Sequence, residues 1–264
     1  MKKNVYFGTE IKTDFHFLTI EMKILFVFAH PEQQSFNGAL KDTAISTLTE
    51  EGHEVLVSDL YQLNWSIQLS RENFTELKDP NYFNAEKEQN DLKFQKTILK
   101  EMEKVKEAEL IIFQFPFWWF SMPGILKSWI DIVFASNFAY GGKKGYFENA
   151  GLVGKKALIS ITTGAPKNFF TEKGRNGNIL LSLYPILFGI FNFTGMDSYL
   201  PSIWYGPGLL DDEGRKEYLT LWGERLKNLK SEKFIDFQKS SSYLGNDLQL
   251  KEGLKTNFEI LSQY

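Results

Sequence analysis

The sequence predicts an α/β fold built on a doubly wound, five-stranded parallel sheet with helices on both faces. Two features predict it: short, largely apolar segments of strand length recur along the chain, and segments of helical period alternate with them. Residues 24–29 (Ile-Leu-Phe-Val-Phe-Ala) form the first run and stop at His30-Pro31, as expected of a strand buried on both faces. Residues 35–48 read as a helix, with Ala39, Leu40, Thr43, Ala44 and Leu48 near helical spacing and Gly52 in a stop position. Residues 54–59 are a second strand, which closes a βαβ unit. Residues 62–90 are polar and loop-rich, and 91–106 recover a helical rhythm. Residues 110–115 are the third strand, stopping at Pro116; 123–134 follow as a helix with Pro123 near its first turn, where the missing N–H costs little. Residues 156–161 are the fourth strand, ending in Thr162-Thr163-Gly164. A helix over 179–193, a short fifth strand over 198–203 and a helix over 212–229 complete the alternation. Met22-Lys23 opens the first strand, so residues 1–21 are expected to be an N-terminal extension, 22–230 the folded domain and 231–264 a tail that wraps the surface or a partner subunit.

Composition narrows the chemistry. Thirty basic and thirty-three acidic side chains give a net charge of −3, and the basic residues are dispersed rather than gathered in a stripe, which argues against nucleic acid as a partner. With no cysteine there are no disulfides, thiolate metal sites or thiol catalysis; this fits a cytoplasmic location, and any redox chemistry must come from a bound cofactor. No apolar run reaches the length of about 18 residues expected of a membrane span, and the richest, 179–193, is interrupted by Pro185 and Gly189. The first 21 residues mix charges into their apolar positions, unlike a signal peptide. His16, His30 and His53 are scattered, and neither HExxH nor GxSxG occurs, so no metal site or hydrolase is expected. The 24 Phe, 11 Tyr and 6 Trp exceed what a routine core needs; they serve either a planar ligand or an aromatic-rich core.

In open α/β sheets ligands bind outside the carboxyl ends of the strands, and three such ends carry unusual loops. The first, residues 29–37, sets Ser35, Phe36 and Asn37 at a helix start, where free amides and the dipole favour a phosphate, although Ser and Asn are equally ordinary caps. It contains neither GxGxxG nor GxxxxGK[ST]. The second, Phe115-Pro116-Phe117-Trp118-Trp119-Phe120, either lines a flat heteroaromatic ring or forms an apolar plug. The third, Thr162-Thr163-Gly164-Ala165, brings backbone amides close to a ring edge or marks a tight turn. Jointly the three favour a planar ligand bearing phosphate, a flavin.

His30, Ser35-Phe36-Asn37, the 113–120 block, Pro123-Gly124-Ile125-Leu126-Lys127-Ser128-Trp129, Phe138-Ala139-Tyr140 and Ser160-Ile161-Thr162-Thr163-Gly164 together resemble the NAD(P)H:quinone oxidoreductases of the DT-diaphorase type. The resemblance runs from residue 22 to about 229. It implies a flavodoxin-like homodimer holding FAD, with FMN the lesser alternative, that takes hydride from NAD(P)H and passes two electrons to a quinone-like acceptor in a ping-pong cycle. By position, His30, Ser35, Phe36 and Asn37 would hold the phosphates and adjoining groups. Pro116, Phe117, Trp119, Phe120, Thr162, Thr163 and Gly164 would surround the ring, and Arg215, Leu219 and Asn84 would meet the adenine end. Gly164 would also stabilise charge on the reduced ring through its amide, while Tyr140 and Asn176 would orient substrates. Two departures stand out: Phe170 and Asn176 replace the family's Tyr and His, and Gly142 replaces a second aromatic beyond Tyr140. The loop around Tyr140 also resembles flavin-bearing regulatory subunits of potassium-efflux systems, and a flavodoxin-type electron carrier is the remaining alternative.

Overall fold

The computed structural model describes residues 22–245 and 248–264, so the expected extension over 1–21 lies outside the described residues. β1 (Lys23–Phe28), α1 (Phe36–Glu50), β2 (Glu54–Asp59), α2 (Ala85–Gln89), α3 (Lys96–Glu107), β3 (Leu110–Pro116), α4 (Gly124–Val133) and β4 (Lys156–Thr163) follow in order. Next come α5 (Ile179–Ser182), α6 (Tyr184–Ile186), β5 (Asp197–Ser198), β6 (Ser202–Tyr205), α7 (Asp212–Asn228), the hairpin β7 (Tyr243–Leu244) and β8 (Gln249–Leu250), and α8 (Asn257–Ser262). The main sheet is parallel in the order β2-β1-β3-β4, with β5 and β6 both pairing to the far side of β4.

The fifth strand is therefore one edge in two pieces. Pro201 lies between them and has no N–H to give to a ladder. Arg225 fills the break: its guanidinium donates to Leu200 O at 2.6 Å and to Ser202 Oγ at 2.6 Å, and pairs with Glu232. The helix expected over 179–193 is also broken. Pro185 falls inside it, and after α6 the chain widens into a π-helical turn over Leu187–Asn192. The Thr194 hydroxyl caps that turn by donating to Ile190 O at 2.8 Å and Phe191 O at 3.1 Å. The helix expected from residue 91 begins only at Lys96, because Leu92 takes φ +54° and Phe94 turns inward to stack on Phe74, ring centroids 4.8 Å apart.

Strand side chains alternate into two cores. Leu25, Val27, Ile111, Phe113 and Ile159 face Trp129 of α4 and Phe191. Ile24, Phe26, Ile112 and Leu158 face Leu40 and Leu48 of α1 and Trp222 of α7. Burying a Phe- or Leu-sized side chain contributes roughly 1.5–3 kcal/mol, so these layers dominate stability. Residues after α7 fold onto their own subunit. Phe234 packs on Tyr199 at 4.6 Å between ring centroids, Phe258 meets Tyr184 at 5.6 Å, and Leu261 is fully buried.

Candidate active site

The strand register aligns Phe28 with Asp59 and Gln114, Pro116 with Thr162, and Thr163 with Tyr205, so the loops beyond them emerge at one end of the sheet. Three contacts tie them together. Asn37 is buried; its Nδ2 donates to Thr162 Oγ1 at 2.9 Å and its Oδ1 accepts from Gln114 Nε2 at 2.9 Å. Phe117 N donates to Thr162 O at 2.9 Å. The His30 ring lies 6.1 Å from Trp118.

In the first loop Ser35 caps α1, its Oγ accepting from Gly38 N at 3.2 Å and lying 3.0 Å from His30 Nδ1. The first-turn amides of Phe36 and Asn37 precede any intrahelical acceptor and point out of the helix N-terminus. Gly38 is obligatory: a Cβ there would sit 1.8 Å from Gln33 O. Beside this loop, Ser35, Phe36, Arg215 and Leu219 line a single groove of about 390 Å³. Arg215 is held there by Leu210 O and by Asp212, and Phe36 meets Tyr218 at 6.3 Å.

The second loop is a tight hairpin closed by Ser121 N donating to Trp118 O at 3.0 Å, with Trp119 at φ +52° and Phe120 at φ +57°. Side chains larger than Gly or Asn rarely adopt two successive left-handed conformations. Trp119 is 97% exposed, and Phe120 is half exposed above Phe117 and Phe170, with ring centroids at 5.9 and 6.5 Å. In the third, Thr162 and Thr163 are buried in the end of β4, and Thr163 Oγ1 donates to Ala165 O at 2.7 Å. Gly164 is exposed, and a Cβ placed on it would meet no atom within 4 Å.

Of the remaining predicted residues, Asn176 belongs to the loop that leaves the cradle end of β4, whereas Tyr140 does not. α4 carries the chain back from the carboxyl end of β3, so Tyr140 sits near the start of β4, against Phe193 at 5.6 Å and Tyr146 at 6.4 Å. Burial, and next the charge of Glu86, hold the Tyr140 phenol above its ordinary pKa. Asn84 caps α2, its side chain accepting from Lys87 N at 3.1 Å. Asn176 is half-buried in the loop after β4, its N–H donating to Phe169 O at 2.8 Å. Among the described residues no cluster of His, Cys, Asp and Glu could hold a metal ion, and no helix is long and apolar enough to cross a membrane.

The family model for the flavodoxin-like fold matches residues 22–226. The ribosyldihydronicotinamide dehydrogenase (quinone) of Homo sapiens is 38% identical over 218 residues, covering 81% of this chain and 94% of that protein. NAD(P)H dehydrogenase (quinone) 1 of Cavia porcellus is 38% identical over 247 residues, covering 90% and 87%. The chain belongs to the NAD(P)H:quinone oxidoreductase family. A crystal structure from Klebsiella pneumoniae described as a quinone reductase superposes on this oxidoreductase with a TM-score of 0.84 at 33% identity, covering 89% of this chain and 96% of that one.

Within this quinone oxidoreductase family member, three residues of the cradle have a part that their place in the sequence does not assign. Gln114 carried a signal, being the polar residue in an otherwise apolar strand. Gly38, in the first turn of α1, reveals its need only through the approach of Gln33. Trp118 was in view as part of the aromatic block, but its contact with His30 joins loops far apart in sequence. Phe170 is buried at the shared edge of Phe117, Phe120 and Tyr205, the last at 5.9 Å. Burial raises the Tyr205 phenol above its ordinary pKa.

Proposed function

We propose that this chain is a flavin-dependent NAD(P)H:quinone oxidoreductase that carries out two-electron hydride transfer by a ping-pong cycle through a single substrate pocket. The observation that carries this reading is the cradle: outward helix amides at Phe36 and Asn37, an exposed aromatic hairpin, and the open backbone of Gly164 converge at one sheet end. Those residues fit a flavin. The first-turn amides and Ser35 would receive its phosphates with His30 alongside, and Pro116, Phe117, Trp119, Phe120, Thr162 and Thr163 would enclose its ring. FAD is favoured over FMN by the groove that continues from Ser35 and Phe36 to Arg215 and Leu219, enough room for a second nucleotide portion.

When bound, the flavin supplies the hydride acceptor and donor chemistry. The protein positions reactants, keeps water from them and places the Gly164 amide where negative charge develops. Phe170 has no ionisable proton, so it walls the pocket, and Asn176 of the same loop is the polar side chain that would orient substrates. Tyr140 lies at the other end of the sheet from the cradle, which supports a homodimer in which each copy completes its neighbour's site. The domain over 22–230 would hold the whole cradle, with 231–264 as an appended tail, and a cytoplasmic location fits the absence of cysteine. NAD(P)H is taken as the donor, as in the name of the relative that matches 90% of the chain.

Anaerobic absorption spectroscopy tests this. Flavin bands that bleach with NADH or NADPH and return with benzoquinone are expected, and chromatography of the released cofactor separates FAD from FMN. Bleaching only by the ribosyl-dihydronicotinamide would overturn the donor assignment; a flavin that no donor bleaches would overturn the reductase.

A further inference from the structure

We propose that Asn90, together with Gln89, is a positioning residue for the acceptor side of the pocket: the pair locks the loop over 136–145 into the conformation that presents Tyr140 and leaves position 142 without a side chain. This rests on Tyr140 being the substrate-orienting aromatic.

The loop crosses from α4 to β4 through Asn137, Gly141, Gly142 and Gly145, at φ +64°, +62°, +54° and +75°, positions where the chain is freer than elsewhere. It closes its own tip, Gly141 N donating to Gly145 O at 2.7 Å and Lys144 N to Gly141 O at 2.8 Å. The end of α2 holds its base. Gln89 is 3% exposed and bridges the two sides of the loop's origin, its Oε1 accepting from Ser136 N at 3.0 Å and its Nε2 donating to Asp131 O at 3.2 Å. Asn90 Oδ1 accepts from Ser136 Oγ at 2.9 Å, and Asn90 O accepts from Asn137 Nδ2 at 2.8 Å. Asn137 then passes the restraint on: its N–H donates to Tyr140 O at 2.7 Å and its Oδ1 accepts from Lys143 N at 3.1 Å. A continuous set of bonds thus runs from α2 to the backbone of Tyr140.

The same residues set the shape beside Tyr140. A Cβ at Gly142 would lie 3.0 Å from Asn90 Oδ1 and 3.0 Å from the Asn137 side chain, and one at Gly141 would lie 3.0 Å from Ser136 Oγ. Asn90 and Gly142 are therefore a matched pair. While Asn90 holds Ser136, a side chain at 142 is crowded as well as strained by the positive φ, and Phe193 at 5.6 Å and the half-exposed Tyr146 at 6.4 Å are the aromatics that flank Tyr140. Asn90 itself acts through Tyr140.

The test compares Asn90→Ala, Ser136→Ala, Asn90→Asp and Tyr140→Ala as flavin-loaded enzymes, reading KM for benzoquinone in steady state and the rate of flavin reduction by NADPH separately. Ser136→Ala removes only the hydroxyl that Asn90 accepts, so it keeps the question answerable should Asn90→Ala fail to fold. The expected result is a quinone KM raised about fivefold in the alanine variants, with Asn90→Asp near wild type because its acceptor oxygen remains. Asn90→Ala should add nothing to Tyr140→Ala, since both act through one ring. A quinone KM unchanged in Asn90→Ala and Ser136→Ala, while Tyr140→Ala raises it, overturns the positioning role alone. An unchanged KM in Tyr140→Ala overturns the reading of Tyr140 and this role with it.

Discussion

Trp119→Gly should make the cofactor-free chain more stable while weakening its hold on flavin. Trp119 sits at φ +52° in a turn whose next residue is at +57°, and its side chain is 97% exposed. A left-handed conformation costs an L-residue about 1–2 kcal/mol. Glycine removes that cost but brings about 0.5–1 kcal/mol of extra freedom to the unfolded chain. Almost no buried surface is lost with the indole, so the net gain is roughly 0.5–1 kcal/mol, or about 1–4 °C in Tm for a domain of this size. Thermal unfolding of the flavin-free protein by circular dichroism reads the stability, and titration of flavin fluorescence reads the affinity. A Tm that falls by more than about 1 °C would refute the reasoning, because it would mean that the turn is unstrained or that the indole already packs in the free chain.

Asn37→Ala removes two buried side-chain bonds and leaves Gln114 Nε2 without its acceptor, so urea unfolding should report a loss of about 2–3 kcal/mol. Gly38→Ala would force a Cβ against Gln33 O at 1.8 Å; the loop ahead of α1 must move, and flavin retention on purification should drop sharply even where the protein folds. A Cβ at Gly164 meets no atom within 4 Å, so Gly164→Ala should keep its Tm within about 1 °C of wild type while flavin affinity falls; equal loss of both would make Gly164 structural. Above pH 10 stability should decline. Burial holds the phenols of Tyr140, Tyr184, Tyr199 and Tyr205 above their ordinary 10.0, so the folded chain keeps protons that the unfolded chain releases. Their contribution is complete below pH 10 and is lost as pH rises through the folded values. Lys155, lowered from 10.5 by burial, acts in the opposite sense but alone. Thermal unfolding followed across pH 9 to 11.5, alongside tyrosinate absorbance, checks the sign.

The sheet was legible because its central strands are buried on both faces, and a continuous apolar run such as residues 24–28 has few other uses. Cap chemistry was equally local: Ser35 starts α1, and Gly52 at φ +87° follows its end. What failed were features set by tertiary contact. Apolar periodicity over 179–193 could not show that Pro185 and the Thr194 hydroxyl would convert a helix into a π-helical turn, nor could residues 198–203 reveal an edge split at Pro201 and filled by Arg225. The tail lacked periodicity because its anchors are single aromatics and one short, doubly capped helix, α8. In the site, motif positions indicated which loops meet. They did not indicate that Asn37 would spend its side chain on Gln114 and Thr162, leaving only its backbone amide to face outward.

The separation of Tyr140 from the cradle has a genetic consequence. If each copy lends its Tyr140 loop to its neighbour, a chain with a ruined cradle and a chain with a ruined Tyr140 loop are each inactive as pure dimers. Mixed, they form a dimer in which one site draws a sound cradle from one chain and a sound loop from the other. Random pairing of equal amounts would restore roughly a quarter of all sites. Damage at opposite ends of one sheet would then be complementable between alleles, whereas damage within a single loop would not.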